Sequence, residues 1–280
     1  MLFVFGFSIF LAACYQPKEG CLDLWATNFS IDADESCDDC CTYPKLKVAL
    51  LNRLTANNPD GIFNLDSLYP TPFDESRFFK ISDVKFYLSS LELIKTDGSQ
   101  VTVSDSTWAD LSSNPAGVSG VWLRSSLAWL NRRNSNTASL GSALTEGSFS
   151  GVSFYIGLTG LEPYAIPDSM PLGHPLALQP PDSTNWAPST GYLFNQIEFF
   201  RDTLSTTPKS VIKITAPDAV LVDISAGFEL RRGRDITVNL RVNYLDWFAG
   251  VDFSRDDDSV IRQKILTNLY SSFQLLSIQQ

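Results

Sequence analysis

His174 is the only histidine in the 280-residue chain, and Met170 stands four residues before it. Apart from the initiator, Met170 is also the only methionine. Imidazole and thioether are both donors that Cu(I) accepts. Trp186 follows in the same stretch and can pack over such a pair. Two donors are too few for a tight site, so a third has to come from a carboxylate or a partner. The plainer reading is a loop imidazole hydrogen-bonded to a carbonyl and a methionine that fills a gap. A single histidine excludes histidine-rich metal centres and any catalytic plan that needs two.

Cysteine chemistry is confined to the first 41 residues, at Cys14, Cys21, Cys37, Cys40 and Cys41. The apolar run Met1–Cys14 has the character of a signal-peptide core and ends in Leu11-Ala12-Ala13-Cys14, which resembles a bacterial lipobox, although no Lys or Arg precedes it. The expectation is a lipid on Cys14 that anchors the protein to a membrane without spanning it. Gln16, in place of Asp, favours the outer membrane of a Gram-negative envelope by analogy with known sorting signals. The alternative is a buried N-terminal strand. Four cysteines remain, an even set that in an exported chain implies two disulfides with three possible connectivities. A bridge between the neighbours Cys40 and Cys41 would be strained, so Cys21 is expected to pair with one of the later three. The rival is a zinc site at Cys37-x-x-Cys40, which needs a reducing compartment.

Six carboxylates lie between Cys21 and Cys41, with no Lys or Arg among them. Crowded carboxylates repel unless a cation or solvent relieves them. Calcium takes six to eight oxygens from such loops, and Asp23, Asn28, Asp32 and Asp34 are the candidate ligands. The segment resembles short extracellular repeats of the form Gly-Cys-x-Asp-x-x-Ala-x-Asn-Phe/Tyr, which are often calcium-associated. EF-hand offsets are not met. The alternative is a solvated acidic loop stapled by disulfides.

The elements that must position these groups are mainly strands. Val84, Phe86 and Leu88 alternate with Lys85, Tyr87 and Ser89 as in a half-buried strand, followed by a turn at Thr96–Ser99 and a return through Val101 and Val103. Gly151–Leu158 is a further strand, and Val211–Ile214 and Ala219–Ile224 flank a turn at Ala216-Pro217-Asp218. Ile236–Asn243 alternates most clearly of all. Helical spacing predicts a crossing helix over Val121–Arg133 and another over Ser259–Leu269, the latter with Val260, Ile261, Ile265 and Leu269 on one face. Glu162–Pro188 holds seven of the 15 prolines and reads as a long irregular loop. The sum is an antiparallel β-sandwich over residues 44–280 with long loops and one or two short helices, after a signal peptide (1–14) and a small Cys-rich segment (15–43).

Composition trims the functions open to such a fold. With 31 acidic against 21 basic residues and a net charge of -10, nucleic acid is not an expected partner. There is no Gly-x-Ser-x-Gly elbow, His-Glu-x-x-His, phosphate loop or Rossmann glycine pattern, so binding is expected rather than catalysis.

Four pieces in order then carry a family resemblance. They are Tyr43-Pro44-Lys45-Leu46-Lys47-Val48 after the Cys-rich segment, Ile81-Ser82-Asp83-Val84-Lys85-Phe86-Tyr87-Leu88-Ser89, and Phe149-Ser150-Gly151-Val152-Ser153-Phe154-Tyr155-Ile156-Gly157. The fourth is His174-Pro175-Leu176 with Trp186 and Thr190-Gly191-Tyr192-Leu193-Phe194. Together they are similar to the MbnP family, periplasmic or surface proteins associated with copper and methanobactin handling. The resemblance implies a copper-binding β-sandwich with His174 as a ligand and Met170 beside it. In some relatives a partner di-haem peroxidase oxidises a Trp to kynurenine, which then helps to ligate the metal. By that resemblance Trp186 is the oxidisable residue. Pro188 stands where the family pattern has a second Trp, and one histidine serves where characterised relatives use two. That departure keeps open a second reading, a surface lipoprotein of the same fold that binds a glycan or protein without copper.

Overall fold

The computed structural model describes residues 16–124, 126–179, 185–204 and 206–280; the expected signal peptide (1–14) with Cys14 lies outside the described residues. Two short strands, β1 (Glu19–Gly20) and β2 (Glu35–Ser36), pair in the Cys-rich segment. There follow β3 (Lys45–Thr55), β4 (Asn58–Ile62), β5 (Leu68–Pro70), β6 (Phe78–Lys95), β7 (Gln100–Val101) and the hairpin β8 (Thr107–Asp110) with β9 (Gly120–Leu123). Next come β10 (Ala128–Asn131), β11 (Thr137–Ser142), β12 (Gly147–Ile156), β13 (Trp186–Ala187), β14 (Gly191–Phe200), β15 (Ser210–Thr215), β16 (Val220–Leu230) and β17 (Ile236–Asn243). The chain closes with a 3-10 turn over Leu245–Phe248, helix α1 (Asp258–Leu269) and β18 (Phe273–Gln279).

The larger sheet runs β13-β14-β6-β12-β16, with β5, β7 and β10 also on β6 and β15 on β14. The smaller runs β11-β3-β17-β18, with β4 on β3. Pairing in both is antiparallel except for β3 with β17, parallel from Leu46↔Ile236 to Arg53↔Asn243. Between the sheets the core is aromatic. Phe86 meets Trp247 at 5.9 Å and Phe273 at 6.1 Å, and Phe154 meets Phe273 at 5.5 Å. Phe79 and Phe199 each meet Phe248 at 5.2 Å. The 3-10 turn thus inserts Trp247 and Phe248 into the core as one plug, edge-on to neighbouring rings as their quadrupoles favour.

The mainly β architecture and the last helix match the expectation, and three local readings are corrected. Strand β6 is not half-buried: Ser82 to Ser89 are all buried. Its outer face is covered by the loop that carries His174, since the Tyr87 hydroxyl donates to the Pro175 carbonyl at 2.8 Å. Val121–Arg133 forms no helix. Leu123, Leu127 and Leu130 are buried, but from β9, a connecting turn and β10. Pairing of Trp108↔Trp122 and Trp129↔Tyr87 overrides the helical spacing. Helix α1 starts from Asp257 rather than Ser259: the Asp257 carboxylate accepts from the amides of Ser259 and Val260. Ile261, Ile265 and Leu269 form its buried stripe, while Val260 is exposed. Strands β15 and β16 do flank the Ala216–Asp218 turn, yet pair with β14 and β12 rather than with each other.

Phe86 meets Trp247 of the plug and Phe273 of β18, so Phe86→Ala is expected to lose about 3–5 kcal/mol. A shift of the urea midpoint with unchanged slope would read that loss.

Candidate functional site

The loop between β12 and β14 contains two 3-10 turns, Glu162–Tyr164 and Pro167–Ser169, and then wraps over the larger sheet. Proline-rich chain cannot supply its own ladder, so its carbonyls need outside donors. Side chains of the sheet and of the loop itself provide donors for four consecutive residues, and His174 O also accepts the Ala177 N–H at 2.9 Å. The Tyr87 hydroxyl donates to Pro175 O at 2.8 Å and the Tyr192 hydroxyl to Leu176 O at 2.6 Å. The Asn185 Nδ2 donates to Ala177 O at 2.8 Å and to the Tyr87 oxygen at 3.0 Å. The Gln179 Nε2 donates to His174 O and Ala177 O, both at 2.9 Å, while its backbone N–H donates to Asn185 Oδ1 at 3.0 Å. Burial pushes both phenols well above their ordinary value, so they stay protonated donors.

His174 is held at the end of this grip and is half-buried. Its Nδ1 accepts the Leu176 N–H at 3.2 Å. A neutral imidazole has one bare nitrogen, so this bond places the proton on Nε2. Desolvation lowers the His174 pKa below its ordinary 6.5, and the ring is neutral at pH 7. It lines a cavity of about 240 Å³ with Asp105, Thr107, Leu123, Leu127 and Pro175. Asp105 Oδ2 already accepts the Ser142 N–H at 3.1 Å and lies 3.5 Å from Lys45 Nζ. Met170 does not join them. It is buried in the apolar core and is not part of the cavity wall. Trp186 is half-buried on β13, in register with Tyr192 and packed against the core. His174 and Asp105 are therefore the donors that could face a metal here. Asp105 had no local signal, since only the fold brings it to the same cavity as the imidazole.

The Cys-rich segment closes through Cys21–Cys41 and Cys37–Cys40, which satisfies the expected pairing of Cys21 with a later cysteine. Its polar residues serve mainly as fasteners. Asp23 accepts from the Trp25 N–H at 2.9 Å and the Tyr43 hydroxyl at 3.0 Å. Asn28 bridges Cys40 O at 2.7 Å and the Thr42 N–H at 2.8 Å. Asp34 accepts the Lys18 N–H at 3.0 Å, and Asp32 lies 3.9 Å from Lys18 Nζ. Among the described residues, the one group of three His, Cys, Asp or Glu donors within 4.8 Å is Cys37, Cys40 and Cys41, whose sulfurs are in disulfides. Asp23, Asp32 and Asp34 are not brought that close together.

A family model described as MbnP matches residues 52–264. The match runs from within β3 into α1; it includes His174 and Trp186 and leaves the disulfide segment outside. Among solved structures, MbnP from Methylosinus trichosporium matches at 12% identity and a TM-score of 0.38, over 75% of this chain and 78% of that one. No curated protein matches.

Tyr87→Phe removes one hydroxyl that both gives and receives a buried bond, so a loss of about 1–3 kcal/mol is expected. Amide exchange should quicken first at residues 176–179 and 185. The His174 ring contributes its full stability above pH 6.5, and the contribution falls as pH drops below that value, where only the unfolded chain takes up the proton. His174→Gln should flatten this part of the stability-against-pH curve, measured by urea titration at stepped pH.

Proposed function

The chain belongs to the MbnP family, and from that membership we propose that it is a non-catalytic protein of the cell envelope that handles copper through His174. The observation that carries the reading is a neutral, partly desolvated imidazole at the wall of a 240 Å³ cavity. Imidazole suits copper, and a ring that stays neutral keeps a lone pair to offer. Copper would add Lewis acidity or a one-electron couple; the chain's own part is to hold and release the metal. The Leu176 N–H now occupies that lone pair. A metal gains it only after the ring turns over or the bond breaks, a cost of about 0.5–1.5 kcal/mol. With one imidazole and with Met170 in the core, the site is weak and exchangeable, which suits handling more than storage.

The second reading, an envelope protein of this fold that binds an organic partner without copper, draws on the same bond. With Nδ1 engaged, Nε2–H is a donor, ready for an oxygen rather than a metal. Anchoring through a lipid on Cys14, with the outer membrane as location, extends either reading. No helix among the described residues is long and apolar enough to cross a membrane.

Competitive Cu(I) titration of residues 15–280 beside His174→Ala separates the two. The copper reading expects one equivalent that exchanges readily with a chelator and vanishes in the variant. Equal binding by both proteins, or none by either, leaves the second reading. Trp186 is the residue through which a di-haem peroxidase partner would act. Peptide mapping of protein taken from its native envelope is expected to find kynurenine at that position, and an unmodified Trp186 would remove the partner from the proposal.

A further inference from the structure

Two tryptophans are exposed on one face of the β8–β9 hairpin. Trp108 and Trp122 are cross-strand partners, 46% and 62% exposed, with ring centroids 5.7 Å apart and planes at 71°. Residues at alternate positions, Ala109, Leu111 and Leu123, are buried beneath them. The pair is held in place. A side chain on Gly120 would bring its Cβ within 2.5 Å of Trp108 Cζ2, so the indole lies directly against bare backbone. The Trp108 Nε1–H donates to Asp110 Oδ1 at 3.0 Å, which sets the ring's orientation and leaves the other carboxylate oxygen at its edge. Exposed Ile166, whose N–H donates to Asp110 O at 2.8 Å, borders the same strip. Large rings left in water and fixed by a glycine and a carboxylate mark a binding surface.

We propose that this hairpin face binds a neutral glycan, one pyranose stacking its C–H face on Trp108 against the wall of Trp122, with Asp110 accepting from a sugar hydroxyl. The rings touch one another, so no slot opens between them for an ammonium group, and the free surface is a platform. The carboxylate, in a chain of net charge -10, opposes uronic or sulfated sugars. Farther along, the hairpin tip forms an open depression of about 300 Å³. Ser113 and Ser119 line it with hydroxyls that suit a sugar, while Ser112 donates to Tyr164 O and Asn114 to Ser112 O and Val118 O, bonds that fix the tip's shape. Trp108 and Ser112 are four residues apart, at most ~13 Å along a strand, a span for an oligosaccharide rather than one sugar. Hydroxyl groups beyond an aromatic platform favour a glycan over a lipid or a greasy peptide.

Tryptophan fluorescence and calorimetry with cellotetraose, maltotetraose, mannotetraose and chitotetraose test the proposal on residues 15–280. At least one tetrasaccharide is expected to bind saturably. Trp108→Ala and Trp122→Ala should each weaken it about tenfold or more. Gly120→Ala, which keeps both indoles but displaces Trp108, should weaken it as well, and Trp129→Phe should not. Circular dichroism checks that each variant folds, and Trp122→Phe stands in if an alanine variant does not. The proposal is overturned if no tetrasaccharide binds at millimolar concentration, or if binding ignores both tryptophans. It is also overturned if the pair instead captures tetramethylammonium or phosphatidylcholine vesicles while sugars do not bind.

Discussion

Four consecutive carbonyls that cannot be left bare under a loop organise the outer side of this protein. The chain from His174 to Ala177 crosses the larger sheet without a ladder of its own. Tyr87, Tyr192, Asn185 and Gln179 supply the missing donors. Tyr87 and Tyr192 come from paired strands and meet edge to face at 6.0 Å, so the sheet's geometry is imposed on the loop. The imidazole, its tautomer and the cavity beside it all follow from that attachment. A buried polar network of this kind stabilises only when every member is satisfied.

The same covering explains why the strands were easier to read than their faces. Val84, Phe86 and Leu88 point inward as alternation required. The residues between them are buried as well, Tyr87 beneath the loop that carries His174. A sequence shows alternation but not what lands on the polar side of a strand. Val121–Arg133 failed for a related reason. Its apolar spacing fits a helix, yet cross-strand partners 14 and 42 residues away, at Trp108 and Tyr87, decide its form. Ile236–Asn243 and α1 were legible because each segment's own pattern agrees with its surroundings.

For the candidate site, residue types were legible and convergence was not. His174 lines a cavity. Met170, four residues away, is turned into the core by the 3-10 turn before it, and Asp105 arrives instead from a distant connection. The acidic segment showed its cysteine pairing in outline. Asp23, Asn28 and Asp34, though, tie turns together. The paired tryptophans of the hairpin had no signature at all. Trp122 lies in a segment whose helical spacing pointed elsewhere, Trp108 comes 14 residues earlier, and only the strand register makes them neighbours.

The parallel pairing of β3 with β17 also sets a timetable for the growing chain. Leu46 finds Ile236 only after synthesis has gone 190 positions further. At a synthesis rate of about 5–20 residues per second, that is a wait of roughly 10–40 s. Through that interval β3 has one sheet edge with no native partner, so the smaller sheet closes late. A chaperone or an export machine that keeps the chain extended would have time to act before the sandwich shuts.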